Sequence, residues 1–176
     1  MLDQGRYTWR HNSVLRIIMD TLKDISDQSW KFYCDLDGAT KIAGTTIPPD
    51  ILPTQQRPDL VLINESCKSI IIIELSIPFE QNIHKTHDYK QNKYASLTAD
   101  LQEQGYDAKL FCIEIGSRGL ITSSNKCNLS SIFPLISKSQ KPMKRVFDKF
   151  SKSLSQRAIL CSYSIFYSKY DHDWSI

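Results

Sequence analysis

The sequence predicts an α/β fold, a mixed central sheet flanked by helices and followed by a long C-terminal helix. Apolar residues recur at helical spacing in three long stretches. Short β-branched and aromatic runs lie between them, and the elements follow in the order α-β-β-β-α-β-α. A chain of 176 residues suffices for one domain with a real core, and 41% hydrophobic with 23% charged residues is an ordinary globular make-up.

Asn12 reads as the N-cap of the first helix, because Val14, Leu15, Ile18 and Leu22 follow at helical spacing; the helix is expected to end near Ser26. Trp30–Asp35 (WKFYCD) reads as a strand from its aromatic content. Residues 36–56 contain Gly38, Gly44, Pro48, Pro49 and Pro53 and are expected to form a loop. Strands are expected over Asp59–Ile63 and Ser69–Ile77, joined by the polar turn Asn64–Lys68, with Pro78 stopping the second. Residues 81–104 read as a long helix ended by Gly105, and Ala108–Ile115 (AKLFCIEI) as another strand. The Ser-rich stretch past Gly116, to about residue 140, carries little periodicity. Pro142 suits the first turn of a final helix with the apolar stripe Met143, Phe147, Phe150, Leu154, Ala158, Cys161 and Ile165.

Composition narrows the function classes. The net charge of +3 permits an acidic partner such as nucleic acid without demanding one. The apolar run Ile70–Ile73 is far too short to span a bilayer, and Met1 opens no secretory signal. The five cysteines (Cys34, Cys67, Cys112, Cys127 and Cys161) form no CxxC pair. They read as reduced thiols of an intracellular protein rather than a disulfide or zinc framework.

Residues 57–76, RPDLVLINESCKSIIIIELS, set two carboxylates in strongly apolar surroundings. If the turn is symmetric about Ser66–Cys67, Ile63 pairs with Ile70 and Asp59 falls opposite Glu74. Directly opposed antiparallel residues share a face, with Cβ atoms about 4.5–5.5 Å apart. Their repulsion is relieved if one acid keeps a proton, if a cation compensates, or if both bind a hard divalent metal such as Mg²⁺. A one-residue slip would put them on opposite faces.

The helix after Glu74 offers the cation. Its inward stripe reads Ile83, His87, Lys90, Tyr94, Leu97 and Leu101, and a lysine is out of place there unless partnered. Lys85 and Lys93 fall off the stripe. Two acids, a metal and a lysine would lower the barrier for water to attack a phosphodiester. The plainer alternative is a Lys90–Glu74 ion pair with Asp59 as a turn residue. His87 reads most simply as a satisfied core histidine; a zinc pair with His84 lacks further ligands at the right spacing.

These residues resemble the PD-(D/E)xK restriction-like nuclease superfamily: Pro58-Asp59, then Glu74-Leu75-Ser76 on the next strand. Ser76 stands where the superfamily has its lysine. The chain is similar to the branch in which that lysine has migrated to the following helix, the restriction-like endonuclease domain of early-branching, site-specific non-LTR retrotransposon proteins. The residues carrying the likeness are Arg10-His11-Asn12, Arg57-Pro58-Asp59, Glu74 and Lys90-Gln91-Asn92-Lys93-Tyr94, within residues 9–119.

The resemblance implies a restriction-endonuclease-like core over residues 1–120, with 121–176 as a helical extension packed on it. It implies a Mg²⁺- or Mn²⁺-dependent endonuclease that nicks duplex DNA, as in retrotransposon integration. Asp59 and Glu74 would be metal ligands, with the Leu75 carbonyl a third. Lys90 would orient the attacking water or stabilise the charged transition state, and Tyr94 would support Lys90 or touch a phosphate. Arg10, His11 and Lys93 would line the DNA path; Arg118, by its place after the strand holding Glu114, is a further candidate for the cleft. A nuclear site of action and a reverse transcriptase region of the same polyprotein as partner follow from the family. Two rivals stay open: an inactive nucleic-acid-binding module with the same fold, favoured by Ser76, and a nuclease for junctions or RNA.

Elsewhere, Lys141, Lys144, Arg145, Lys149, Lys152 and Arg157 give the last helix a basic face that is either solvated or a phosphate contact. Tyr163–Tyr170 (YSIFYSKY) reads more simply as core or oligomer contact than as a base-stacking surface.

Overall fold

In the computed structural model, residues 2–37, 39, 45–137 and 143–168 are described. The chain is α/β: α1 (Leu2–Ile25), β1 (Lys31–Cys34), β2 (Leu60–Asn64), β3 (Ser69–Ser76), a 3₁₀ turn (Glu80–Asn82), α2 (Ile83–Glu103), β4 (Asp107–Glu114), α3 (Ser123–Ile136) and α4 (Lys144–Tyr167). The sheet runs β1-β2-β3-β4, antiparallel until the last pair, where β3 and β4 are parallel across the α2 crossover.

The alternation of strand side chains divides the core. Leu60, Leu62, Ile71, Ile73, Leu75, Ile113 and Ile115 face α1, α3 and α4. Val61, Ile63, Ile70 and Ile72 face Tyr94, Leu97 and Leu101 of α2. Isoleucines 70–73 are therefore buried on both faces, each worth about 1.5–3 kcal/mol of burial. Lys68 (φ 50°) and Gly105 (φ 84°) adopt left-handed conformations where the hairpin turns and where α2 ends.

Two elements differ from the expectation. Asn12 is no cap, because α1 begins ten residues earlier, at Leu2. The early part of that helix is held by distant contacts: Arg6 donates to Ser168 O at 2.6 Å and Arg10 to Ser162 Oγ at 3.0 Å, both fastening it to the end of α4. The stretch after Gly116 contains a whole helix, α3, started by Thr122, whose side chain accepts from Asn125 N. Serines and the internal Pro134 lower its propensity, yet Leu129, Ile132, Phe133 and Ile136 are buried, and the Phe133 ring packs edge-on to Phe147 of α4 at 5.7 Å. The α4 stripe follows the expected spacing through Phe150, Leu154, Ala158 and Cys161. Pro142 and Lys141 lie outside the described residues. No described helix is long and apolar enough to cross a membrane.

Candidate active site

Asp59 sits just before β2, held by its neighbours' backbone bonds. Tyr94 Oη donates to Arg57 O at 3.1 Å, Thr46 Oγ1 to Pro58 O at 2.7 Å, and Asp35 N to Asp59 O at 3.0 Å. Three successive carbonyls are thus satisfied from α2, the preceding loop and the end of β1. The hairpin register pairs Ile63 with Ile70 and Leu60 with Ile73, which continues to Asp59 opposite Glu74. The two acids are cross-tied: Asp59 N donates to Glu74 Oε2 at 3.1 Å, and Leu75 N to Asp59 Oδ2 at 2.7 Å.

Each acid also meets a cation. Lys90 Nζ, on the inner side of α2, donates to Glu74 Oε1. His11 Nε2, from α1, lies 3.1 Å from Asp59 Oδ2, while its Nδ1 is 3.1 Å from Asn12 Oδ1. Glu74 is only 2% exposed; burial pushes its pKa up, Asp59's charge adds to this, and Lys90 opposes it. Burial works against the Lys90 ammonium, but the Glu74 hydrogen bond and the charges of Glu74 and Asp59 outweigh it and raise its pKa. The same contest favours His11⁺. Burial disfavours the imidazolium, yet hydrogen bonds to Asp59, Asn12 and the Leu75 backbone, with Asp59's charge, raise its pKa from 6.5 to about 9.

A pH dependence of stability follows. The folded pKa of His11 lies above the unfolded one, so its contribution is complete below pH 6.5 and lost as pH rises through about 9. Thermal melts across this window should show wild-type stability falling by up to about 3 kcal/mol, with His11→Ala lacking that component. Parallel curves for the two proteins would exclude the pair as a stabilising element.

The remaining predicted site residues are distributed around this centre. Tyr94 is wholly buried and its hydroxyl also accepts from Lys93 Nζ at 2.8 Å, so it is placed to support the site and not to touch a phosphate. Burial, then the charges of Glu74 and Asp59, raise its pKa. Lys93 is exposed with its ammonium over the Tyr94 ring, 4.5 Å from the centroid. Arg10 donates to Ile77 O at 2.8 Å as well as to Ser162, and lies one turn of α1 from Tyr7. Arg118 is paired with Glu80 at 2.9 Å in the loop after β4. Arg10 and Arg118 therefore border a separate cavity and make no contact with the acid pair.

Thr46 and Asp35, which fix Asp59, carry no signal in the sequence beyond their polarity. Nor does the second buried acid, Glu114. It is 1% exposed at the end of β4; Asn125 bonds both its backbone N and O, and His87 Nδ1 lies 3.0 Å from its Oε2. Its burial pushes its pKa up, with His87 opposing. His87, expected as a satisfied core histidine, finds a partner here but is only partly buried, not core.

Two carboxylates and the Leu75 carbonyl would all be oxygen ligands, the kind a hard divalent cation takes. Among the described residues, no group of three or more His, Cys, Asp or Glu side chains is arranged to hold an ion. An ion here would depend on the carbonyl and on water for its other ligands. The Leu75 backbone also serves His11, so His11⁺ and a metal would compete for the same place.

A scan of protein-family models finds none that matches the chain, and a search of curated proteins finds no significant relative.

Proposed function

We propose that the chain is a metal-dependent DNA endonuclease with a restriction-endonuclease-like core of the migrated-lysine type, akin to the domain of site-specific non-LTR retrotransposon proteins. One juxtaposition carries this reading: Lys90 of α2 is seated on Glu74 while Asp59 is tied to the same strand. Ser76 leaves the superfamily's usual lysine position empty of charge, and Lys90 brings an ammonium to the same acid from the helix.

Asp59, Glu74 and the Leu75 carbonyl would hold Mg²⁺ or Mn²⁺, which when bound supplies Lewis acidity toward phosphate oxygens and a more acidic water. Lys90 then places a fixed positive charge where a phosphodiester gains negative charge during attack. Tyr94, anchored to Arg57 O, holds the α2 face and the Pro58–Asp59 segment in register. A single core of this kind cuts one strand.

In a supercoiled-plasmid assay, wild type should nick with Mg²⁺ and not in EDTA. Lys90→Ala should slow nicking by about 10²–10³-fold, the usual cost of one charge-stabilising donor. Equal background nicking by both proteins would refute catalysis. One observation favours the second reading, a binding module without chemistry: His11 and Lys90 already balance both carboxylates without a metal. That module would bind DNA with the same affinity in EDTA and Mg²⁺ and cut none of duplex, flap, junction or RNA.

A further inference from the structure

A concavity separate from the acid pair has a different chemistry. A cavity of about 620 Å³ is walled by Tyr7 of α1, Phe79 after β3, and Tyr163 and Phe166 of α4, with Arg10 and Arg118 on its border. The aromatic rings are unusually open for a core-forming stretch: Phe79 is 64% exposed, Tyr163 62% and Phe166 75%. Tyr163 also stacks on Tyr167, centroids 6.1 Å apart, so the wall extends along α4. Isolated exposed rings need no explanation, but a contiguous aromatic wall around a cavity marks a binding surface.

The charge on this wall points to the ligand class. Arg10 is half-buried, and its terminal nitrogens meet only neutral acceptors, Ile77 O and Ser162 Oγ; its Nε is buried with no partner among the described residues. No described carboxylate pairs with it. Burial lowers its pKa, as expected for a cation short of negative charge. Arg118 also borders the cavity; its Nε is paired with Glu80 at 2.9 Å while the rest of its guanidinium is largely exposed. Open aromatic faces beside the undercompensated guanidinium of Arg10 suit a base stacked on a ring and a phosphate on arginine. A purely apolar partner would leave Arg10 buried and uncompensated.

The cavity is also joined to the acid pair by the chain. Arg10 precedes His11, which contacts Asp59, and Phe79 follows Glu74 by five residues, a span of at most about 18 Å. We propose that this cavity takes an unpaired nucleotide of single-stranded DNA, its base stacked on Phe79 and Tyr163 and its phosphate on Arg10 and Arg118. As a reason for a strand to be there, this rests on the nuclease reading. It makes the substrate a DNA with a frayed, flapped or overhanging end a few nucleotides from the cut.

The test is fluorescence anisotropy of a labelled single-stranded DNA 12-mer and of the matching blunt duplex, in EDTA. Wild type should bind the single strand more tightly, with an affinity that falls as salt rises. The double variant Phe79→Ala/Tyr163→Ala replaces exposed rings, and circular dichroism checks that it folds. It should lose at least 10-fold in single-strand affinity and change duplex affinity less than twofold. Equal single-strand affinity of wild type and variant would overturn the proposal. So would a dimer that the double variant dissociates while DNA binding is unchanged, because a second copy would then be the occupant. Plasmid nicking by the wild type, measured alongside, separates the two claims. If wild type never nicks yet the rings govern single-strand binding, the nuclease reading falls and the cavity stands. If wild type nicks and the rings have no effect on binding, the reverse holds.

Discussion

Asp59→Asn should abolish Mg²⁺-dependent nicking, by about 10³-fold or more, while leaving the protein folded. The amide is nearly isosteric and its oxygen can still accept from Leu75 N, the 2.7 Å bond that ties the segment to β3. What it loses is the negative charge that a hard cation requires. His11 loses its ion partner in the same step, so the His11 contribution to stability at neutral pH should vanish as well. Asp59→Ala is a different experiment. The sequence suggests that it could stabilise the fold by removing carboxylate repulsion. The structure makes Asp59 the acceptor for a buried backbone N–H, and deleting that acceptor costs about 1–3 kcal/mol. Nicking assays with paired thermal melts separate the effects: Asp59→Asn inactive and folded, Asp59→Ala inactive and less stable. Full activity in Asp59→Asn would remove Asp59 from the chemistry.

Lys90→Met should be the most destabilising substitution at the site. It keeps the length of the side chain and deletes the ammonium, leaving Glu74, 2% exposed, without its cation. Removing one partner of a buried pair typically costs about 3–5 kcal/mol. The pH dependence fixes the cause. Burial already holds the folded Glu74 pKa above its ordinary 4.5, and loss of Lys90 raises it further. A carboxyl that keeps its proton in the folded state loses stability as pH rises from 4.5 through the folded pKa. The gap between Lys90→Met and wild type should therefore be small near pH 4 and widen toward neutrality. Glu74→Gln/Lys90→Met, which removes both charges, should recover most of the loss at pH 7. Denaturant melts at several pH values measure all of this. A gap independent of pH would mean that Lys90 acts through packing alone.

The sequence makes the centre of the site legible because two periodicities intersect there. The period of two along Leu60–Asn64 and Ser69–Ser76, with a symmetric turn, is enough to oppose Asp59 and Glu74. The helical stripe Ile83–Leu101 is enough to point Lys90 at the same sheet face. What stays hidden depends on contacts distant in sequence. The first turns of α1 exist because Arg6 and Arg10 fasten onto the end of α4, more than 150 residues away, and no local pattern carries that. Helix α3 is masked by its serines and by Pro134, and forms because Phe133 and Ile136 are buried against the sheet. His11 precedes a misplaced cap in the sequence, yet becomes the Asp59 partner once α1 runs past it. Thr46, midway along the loop between β1 and β2, is invisible until that loop folds back onto Pro58. The rings of Tyr163, Phe166 and Tyr167 on α4 read in the sequence as core or oligomer contact; they are exposed and so not core, since aromatic content says nothing about which face of a helix is covered.

The central claim is that Asp59 and Glu74 together hold a divalent ion beside Lys90. A crystal soaked in Mn²⁺ tests it most directly. An anomalous peak between the two carboxylates, with the Leu75 carbonyl among its ligands and His11 displaced from Asp59, is the predicted result. A map with no peak there, and His11 still seated on Asp59 at saturating Mn²⁺, would contradict it.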